Sequence, residues 1–178
     1  EKTHAIFVYD ATVRIPLIMR YPAKVPRGSV YREPVSCIDL FPTILSAAGL
    51  TVIPRNQGVD LYAPYRADGA GLVMQYSESL LSEVGFGMAP LYAVRYNGKK
   101  YIRAPKPELY DLNADPNELK NLYDKQPEEA ARLDAALQRM LDFSAKLTKG
   151  APRAAIDEES LETLRALGYV AAPDQRSG

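Results

Sequence analysis

The strongest constraint on the fold is a hairpin signal in the middle of the chain. Segments 91–96 and 99–103 are rich in aromatic and apolar residues, and Asn97-Gly98 lies between them. Asn-Gly readily takes the two positive φ angles of a type I′ turn, which joins neighbouring antiparallel strands. Further strands are predicted at 72–76 and 108–112. The second half of the chain is therefore predicted to contain a run of antiparallel strands.

A long amphipathic helix is predicted directly after these strands. It begins near Pro127, where Glu128 and Glu129 complement the helix dipole, and it ends before Gly150. An apolar stripe along one side predicts that this side packs on the sheet. The stripe consists of Leu133, Leu137, Met140, Leu141 and Ser144. Strands followed by a helix indicate the α+β class for this half.

The first third of the chain predicts one strand and one helix. Pro16 cannot donate to a sheet ladder, so a strand over 13–21 is predicted to begin at Pro16 or to lie at an edge. Asp39 is well placed to cap a helix over 40–48, and Gly49 fits the left-handed residue that ends it.

Composition excludes several classes of function. The 22 Lys+Arg balance the 22 Asp+Glu, so the chain lacks the positive excess that nucleic-acid-binding domains use. One cysteine, Cys37, and one histidine, His4, leave no disulfide framework and no multi-cysteine or multi-histidine metal site in this sequence. The sequence also contains no phosphate-binding loop, dinucleotide fingerprint or G-x-S-x-G motif. The residues alone therefore indicate an α+β polypeptide and nothing more.

Six short motifs, in order along nearly the whole chain, resemble sulfatases of the alkaline phosphatase superfamily. They are Y-D-A-T-V-R-I-P-L-I at 9–18, P-V-S-C-I-D-L-F-P-T-I-L at 34–45, Q-G-V-D-L at 57–61, A-V-R at 93–95 with K-Y-I at 100–102, E-L-Y-D-L through D-P-N-E-L-K-N-L at 108–122, and L-R-A-L-G-Y-V at 164–170. Gln57 and Asp60 depart from the family's D-G-x-S-L turn. The last motif resembles a frequent ending of bacterial members.

The resemblance implies a sulfate-ester hydrolase whose catalytic motif lies elsewhere. Family members carry C-x-P-x-R or S-x-P-x-R, whose first residue becomes formylglycine, and Asp, Asn and His ligands of a divalent cation, usually calcium. In the family all of these precede the Y-x-x-x-x-R-x-P segment, and none is found in this sequence. The chain is therefore expected to be the C-terminal part of a sulfatase, starting just after the last metal ligands. It is expected to bind no metal and to be inactive alone.

The resemblance also implies an architecture. Residues 1–64 are expected to close a large α/β sandwich, and 72–150 to form a C-terminal subdomain of antiparallel sheet and one long helix. A connection at 65–71 would join them, and 151–178 would be an extension with a short helix over 157–167. Residues 1–64 would expose apolar side chains unless the N-terminal part of the same protein covers them. The side chains concerned are Leu17, Ile18, Met19, Ile44 and Leu45.

Two residues near the start are candidates for direct chemistry. In the family, a Lys or His just before the motif tyrosine contacts the sulfate. A cation or proton donor there stabilises the charge that develops on the leaving ester oxygen. The candidates in this sequence are His4 and Lys2.

Other candidates rest on the same resemblance. The loop of Gly85, Phe86 and Gly87 is a candidate for substrate binding, because the corresponding region overhangs the pocket in the family. Arg14 and Asp39 are expected to be structural and to meet where the predicted strand and helix pack.

Two further functions stay open. One is a phosphoric-ester or phosphonate hydrolase of the same superfamily, which this part of the sequence distinguishes poorly from a sulfatase. The other is a non-catalytic binding or scaffolding module. For a sulfatase, the expected substrate is a sulfated small molecule or carbohydrate. Many bacterial members are exported, so the resemblance implies a periplasmic or secreted location.

Overall fold

The computed structural model describes residues 6–51, 56–62, 74–81, 83, 87–148, 157–159 and 162–163. By contacts, the chain divides into a unit Glu1–Met140 and a unit Leu141–Gly178. In chain order the elements are α1 (Asp10–Val13), a 3-10 turn (Cys37–Asp39), α2 (Leu40–Ala47), β1 (Gln75–Ser79), β2 (Leu91–Tyr96), β3 (Lys99–Arg103), β4 (Glu108–Asp111), a second 3-10 turn (Tyr123–Lys125) and α3 (Pro127–Thr148). Within the described part of the chain, no helix is long and apolar enough to cross a membrane.

The four strands form one antiparallel sheet in the order β1-β2-β3-β4. The predicted hairpin joins β2 to β3, with Asn97 at φ 47° and Gly98 at φ 71°. Glycine favours this positive φ, and a Cβ on Gly98 would require the side chain of Asn113 to move. The predicted antiparallel sheet with a following helix is confirmed.

Side chains alternate between the two faces of the sheet, and the strand register assigns each one. The first face, called the helix face, carries Tyr92, Val94, Tyr96, Lys99, Tyr101, Arg103 and Leu109. The second, called the segment face, carries Ala93, Arg95, Lys100, Ile102, Glu108 and Tyr110.

The helix face is fixed to α3 by polar contacts around a dry centre. Arg103 donates from Nε to Asp134 Oδ1 at 2.8 Å and from Nη1 to Gln138 Oε1 at 2.8 Å. The guanidinium of Arg132 lies 5.5 Å from the centre of the Tyr96 ring. The fully buried residues Val94, Leu109, Leu133 and Leu137 form the apolar centre.

The predicted apolar stripe of α3 is only partly buried. Leu133 and Leu137 are 0% exposed, Met140 and Leu141 are half-buried, and Ser144 is exposed. Helix length explains the difference, because a 22-residue helix is about 33 Å long. Strands of four to six residues span only about 20 Å.

The strand predicted over 13–21 is not formed. Its first residue ends α1, and residues 14–20 belong to no helix or strand. A strand needs a neighbour for its N–H and C=O groups, and no described segment pairs with this one. The residue pattern over 13–21 is typical of a strand, but none of the described segments pairs with it.

The predicted helix over 40–48 is confirmed as Leu40–Ala47, and Gly49 follows it at φ 71°. The predicted cap at Asp39 is wrong in its form. As the residue before α2, Asp39 makes no side-chain bond to the first turn of that helix; instead it belongs to the capping box of the preceding 3-10 turn, where it accepts the N–H of Ser36 at 2.8 Å, and it also accepts the N–H of Val59 at 2.9 Å. Asp39 is 2% exposed, so it ties the segment around Val59 to the start of α2.

Several apolar side chains before and within α2 face solvent. Ile18 is 91% exposed, Ile15 66% and Ile44 64%. Exposure predicted for Leu17, Ile18 and Ile44 is confirmed, whereas Met19 and Leu45 are half-buried. Such a patch on one part of a chain is typical of a surface that another polypeptide covers.

Some predictions fall outside the described residues. The connection at 65–71 and residues 171–178 lie there, as do six of the eleven residues of the helix predicted over 157–167; of the described ones, 158–159 and 162–163 are helical. The strand predicted at 72–76 is described from 74 onward, and the observed strand β1 runs Gln75–Ser79, three residues further along the chain than predicted. The division into domains at these places stays a prediction.

We expect Leu133→Ala to destabilise the protein by about 2–5 kcal/mol, because it leaves a cavity in the dry centre under α3. Leu119→Ala is the matched control, since Leu119 is 84% exposed and its truncation should cost less than about 0.5 kcal/mol. Urea unfolding followed by tyrosine fluorescence measures both. Equal losses for the two variants would contradict the packing described.

Candidate functional site

The candidate site lies where residues 6–14, called the docked segment, cross the segment face of the sheet. Val8 is 2% exposed and belongs to one buried cluster with Ala93, Ile102, Tyr110 and Leu112. α1 follows at once, and its one turn is closed by bonds from the N–H groups of Thr12 and Val13 to the carbonyl of Tyr9. The docked segment therefore forms a layer of its own, on the opposite side of the sheet from α3.

Two cations lie directly opposite each other on the segment face. Arg95 of β2 and Lys100 of β3 are register partners. Like charges at such a position destabilise a sheet unless an anion lies between them. Asp10 supplies that anion: its Oδ2 is 3.1 Å from Arg95 Nη1, and its Oδ1 is 2.9 Å from Lys100 Nζ.

Glu118 completes the arrangement from the turn that follows β4. Its Oε1 lies 2.8 Å from Lys100 Nζ, as an ion pair without hydrogen-bond geometry, and its Oε2 accepts the N–H of Asp10 at 2.6 Å. The side chains of Lys100 and Glu118 are each 3% exposed. We call Asp10, Arg95, Lys100 and Glu118 the charge cluster. Its two cations and two carboxylates balance, as buried ions require.

The backbone at Glu118 indicates what its side chain is needed for. Glu118 has φ 55°, the left-handed region, where a residue with a Cβ costs roughly 1–2 kcal/mol. Glycine would be favoured there on conformational grounds. The carboxylate contacts with Lys100 and with the Asp10 N–H offset that strain.

Tyr9 makes a second polar attachment beside the charge cluster. Its hydroxyl donates to Glu108 Oε2 at 2.9 Å, and the Tyr110 hydroxyl donates to the same oxygen at 2.8 Å. Burial and then the bond to Glu108 raise the pKa of Tyr9 to about 12 and also raise the pKa of Tyr110. Both phenols therefore stay neutral and act as hydrogen-bond donors.

Other polar residues of the E-L-Y-D-L…D-P-N-E-L-K-N-L motif build the turn that presents Glu118. Asn121 Oδ1 accepts the N–H groups of Leu109 and Tyr123 at 3.0 and 2.9 Å. Asp115 accepts the N–H of Lys120 at 2.8 Å. Asp111 pairs with Lys99 at 2.8 Å on the helix face, and that bond lowers the pKa of its carboxyl group.

A cavity of about 450 Å³ lies beside the charge cluster. It is lined by Tyr9, Asp10, Ala11, Arg14, Pro116, Asn117 and Glu118. The carboxylates that reach it already pair with cations or backbone N–H groups. Within the described residues, no group of three or more His, Cys, Asp or Glu could hold a metal ion. The arrangement is therefore suited to holding a segment in place rather than to acid, base or nucleophilic chemistry.

The structure describes only part of the predicted site. His4, Lys2, Gly85 and Phe86 lie outside the described residues. Gly87 is exposed at φ 62°, and its N–H donates to the carbonyl of Glu83 at 3.0 Å.

The expected meeting of Arg14 with Asp39 does not occur. Both residues are described, and no ion pair joins them. Arg14 lines the cavity beside the charge cluster, whereas the Asp39 carboxylate accepts two backbone N–H groups.

Sequence reasoning missed the charge cluster. Its members stand within three of the recognised motifs, at Tyr9-Asp10, Ala93-Val94-Arg95 with Lys100, and Glu118. The available signal was the predicted hairpin register, which already sets Arg95 opposite Lys100 and so demands an anion from elsewhere.

Comparisons with known proteins agree with the motif order. Residues 4–146 match the family described as N-sulphoglucosamine sulphohydrolase, C-terminal. Arylsulfatase K of Canis lupus familiaris is 31% identical over 147 residues, covering 76% of this chain and 27% of that protein. An N-acetylglucosamine-6-O-sulfatase of Bacteroides thetaiotaomicron is 28% identical over 151 residues, covering 80% of this chain and 27% of that protein.

Two solved structures are also similar. One, in complex with its substrate D-glucosamine-2-N,6-O-disulfate, matches with a TM-score of 0.54 and 26% identity, over 82% of this chain and 31% of that one. The other, a phosphonate monoester hydrolase from Silicibacter pomeroyi, matches with a TM-score of 0.58 and 25% identity, over 87% of this chain and 34% of that one. This chain thus spans between a quarter and about a third of each of these relatives.

We expect Asp10→Ala to destabilise the protein by about 3–5 kcal/mol, because it leaves Lys100 and Arg95 facing each other without the bridging anion. Glu129→Ala is the control, since it breaks a more exposed helix pair with Arg132, worth less than about 1 kcal/mol. Urea unfolding compares them. A loss as small as that of the control would show that the charge cluster does not hold the segment.

The raised pKa of Tyr9 predicts a pH dependence of stability. Because the folded state binds the phenolic proton more tightly than the unfolded chain, the contribution of Tyr9 is complete below about pH 10 and falls as pH rises towards 12. The difference in unfolding midpoint between wild type and Tyr9→Phe should therefore shrink over that interval. A difference that is constant or grows with pH would contradict the assignment.

Proposed function

The chain belongs to the N-sulphoglucosamine sulphohydrolase C-terminal family, and on that premise we propose that it is the C-terminal part of a sulfuric ester hydrolase. Support comes from the family match and from relatives named as sulfatases. The observation that carries the proposal is the docked segment. In the sequence it begins two residues after His4, and it is held by the buried charge cluster, whose four side chains pair with one another.

The proposed division of labour assigns the bond-breaking chemistry to the N-terminal part of the same protein. That part would carry the formylglycine residue and a divalent cation, which we propose to be calcium. The described residues do not fit a metal site, so no step of the reaction is assigned to a cation here. His4, with Lys2 as the second candidate, would stabilise the charge on the leaving ester oxygen.

The exposed apolar surface is consistent with this division. Ile15, Leu17 and Ile18 line an open cavity of about 1190 Å³ that reaches Arg95 and Lys100 at the edge of the charge cluster. We propose that the N-terminal part of the same protein packs there. Burying Ile18 alone, which is 91% exposed, would contribute about 1.5–3 kcal/mol.

The proposed substrate class is a sulfated amino sugar. One structural neighbour was solved with D-glucosamine-2-N,6-O-disulfate, and one relative is named as an N-acetylglucosamine-6-O-sulfatase. A phosphonate monoester hydrolase is the second candidate, favoured by the neighbour that covers 87% of this chain. A non-catalytic module is the third candidate. It predicts that this chain, expressed alone, folds cooperatively despite its exposed apolar side chains.

We expect the intact protein to hydrolyse sulfate esters and His4→Ala to lower kcat by roughly 10²–10⁴-fold, the range for loss of a positioned proton donor. Initial rates with a sulfated glucosamine, an aryl sulfate and an aryl phosphonate monoester distinguish the candidates. Faster turnover of the phosphonate would favour the second candidate, and no turnover of any ester would favour the third.

The control for His4→Ala is Lys120→Ala, because Lys120 is exposed and uses only its backbone N–H in the turn after β4. Unchanged kcat in His4→Ala would remove the assigned role of the histidine while leaving the reaction class open to the substrate comparison.

A further inference from the structure

We infer that Lys100 and Glu118, which lie in the second half of the chain, are positioning residues for the reaction. They would act by fixing Asp10 and so the path of the chain towards His4. The inference rests on the proposed function, because it concerns the alignment of that active site. Neither residue touches the reacting atoms in this account.

The docked segment is held at three consecutive residues by three different kinds of contact. Val8 is buried in an apolar cluster, Tyr9 donates to Glu108, and Asp10 pairs with Lys100. Apolar burial fixes depth but tolerates sliding, whereas charge-assisted bonds fix position along the strand direction. The charge cluster therefore sets the register of the segment on the sheet.

Glu118 fixes the backbone of Asp10 as well as its charge. Its Oε2 accepts the Asp10 N–H at 2.6 Å, and its Oε1 is 2.8 Å from the same Lys100 that binds the Asp10 side chain. Main chain and side chain of one residue are thus held by two groups that also contact each other. Rotation of the segment about its own axis would break one of these contacts.

The distance to the proposed active site is short. Five residues lie between His4 and Asp10 in the sequence, and an extended chain covers at most about 20 Å over the six residue steps. Misplacement by about 1 Å of a group that acts in catalysis costs on the order of 10²-fold in rate. Weakening the contacts that hold Asp10 is therefore expected to lower kcat more than it changes KM.

The backbone conformation at Glu118 indicates that its carboxylate is needed to position Asp10 rather than to stabilise the turn. Glu118 occupies a left-handed backbone position where glycine would be cheaper. Were the residue needed only to make the turn, Glu118→Gly would be harmless or favourable. Were it needed for its carboxylate, the same change would release Asp10.

The test uses the intact protein, with Glu118→Gln and Glu118→Gly compared with Asp134→Asn. Asp134 is the control because its carboxylate also binds a cation, Arg103 at 2.7 Å, but on the helix face and outside the turn that presents Glu118. Hydrogen exchange is followed at the Asp10, Thr12 and Val13 amides, and kcat and KM are measured with a sulfated glucosamine.

We expect both Glu118 variants to lower kcat by about 10-fold or more with KM within about 2-fold, and to speed exchange at Asp10 by a similar factor. Asp134→Asn should change neither. A Glu118→Gly variant with wild-type kcat and wild-type exchange at Asp10 would overturn the inference. So would equal effects of the Glu118 and Asp134 variants, which would reflect general loss of stability.

The outcomes separate this inference from the proposed function. Wild-type protein that hydrolyses no sulfate ester would refute the proposed function and, with it, the role in catalysis. An active wild type whose Glu118 variants lose exchange protection but keep kcat would refute only the positioning inference. A fall in kcat together with the loss of protection at Asp10 supports both.

Discussion

The bridge that Asp10 forms between Arg95 and Lys100 is the interaction on which this structure depends. Strand register places the two cations directly opposite each other on one face of the sheet. Asp10 meets both, at 3.1 and 2.9 Å, and Glu118 balances the remaining charge. A buried cluster of this kind contributes little net stability when complete and costs much when one member is removed. It therefore acts mainly by specifying where the docked segment lies.

Both faces of the sheet combine apolar burial with charged contacts, but the burial of the charges differs. On the helix face, Leu133 and Leu137 are fully buried, and the ion pair of Arg103 with Asp134 is 28% and 42% exposed. On the segment face, Val8 is held by apolar burial, Tyr9 by its bond to Glu108 and Asp10 by ion pairs, and the side chains of Lys100 and Glu118 are each 3% exposed. The E-L-Y-D-L motif contributes to both faces, since alternate residues point opposite ways. That alternation explains how one short motif can contribute both to the apolar centre under α3 and to the contacts that hold the docked segment.

Patterns among neighbouring residues predicted the hairpin and the helices. They did not predict the ion pairs between residues that are far apart in the sequence. The turn residues Asn97-Gly98 and the acidic residues Glu128 and Glu129 in the first turn of α3 act on their own neighbourhood, so the hairpin and the helix could be predicted. The strand over 13–21 could not, because a strand exists only with a partner and no described segment provides one. Asp39 was assigned to the nearest helix end, yet it bonds Val59, 20 residues away. The charge cluster joins Asp10 to residues 85 to 108 positions further along the chain, and only the hairpin register indicated part of it.

A double-mutant cycle between Asp10 and Lys100 tests the central claim most directly. The free energies of unfolding of Asp10→Ala, Lys100→Met and the double variant give the coupling between the two positions. The account predicts a coupling of about 1–3 kcal/mol, because either single change leaves the other ion buried without its partner. Additive effects within about 0.5 kcal/mol would contradict it, since the segment and the sheet would then be held together by something other than this pair.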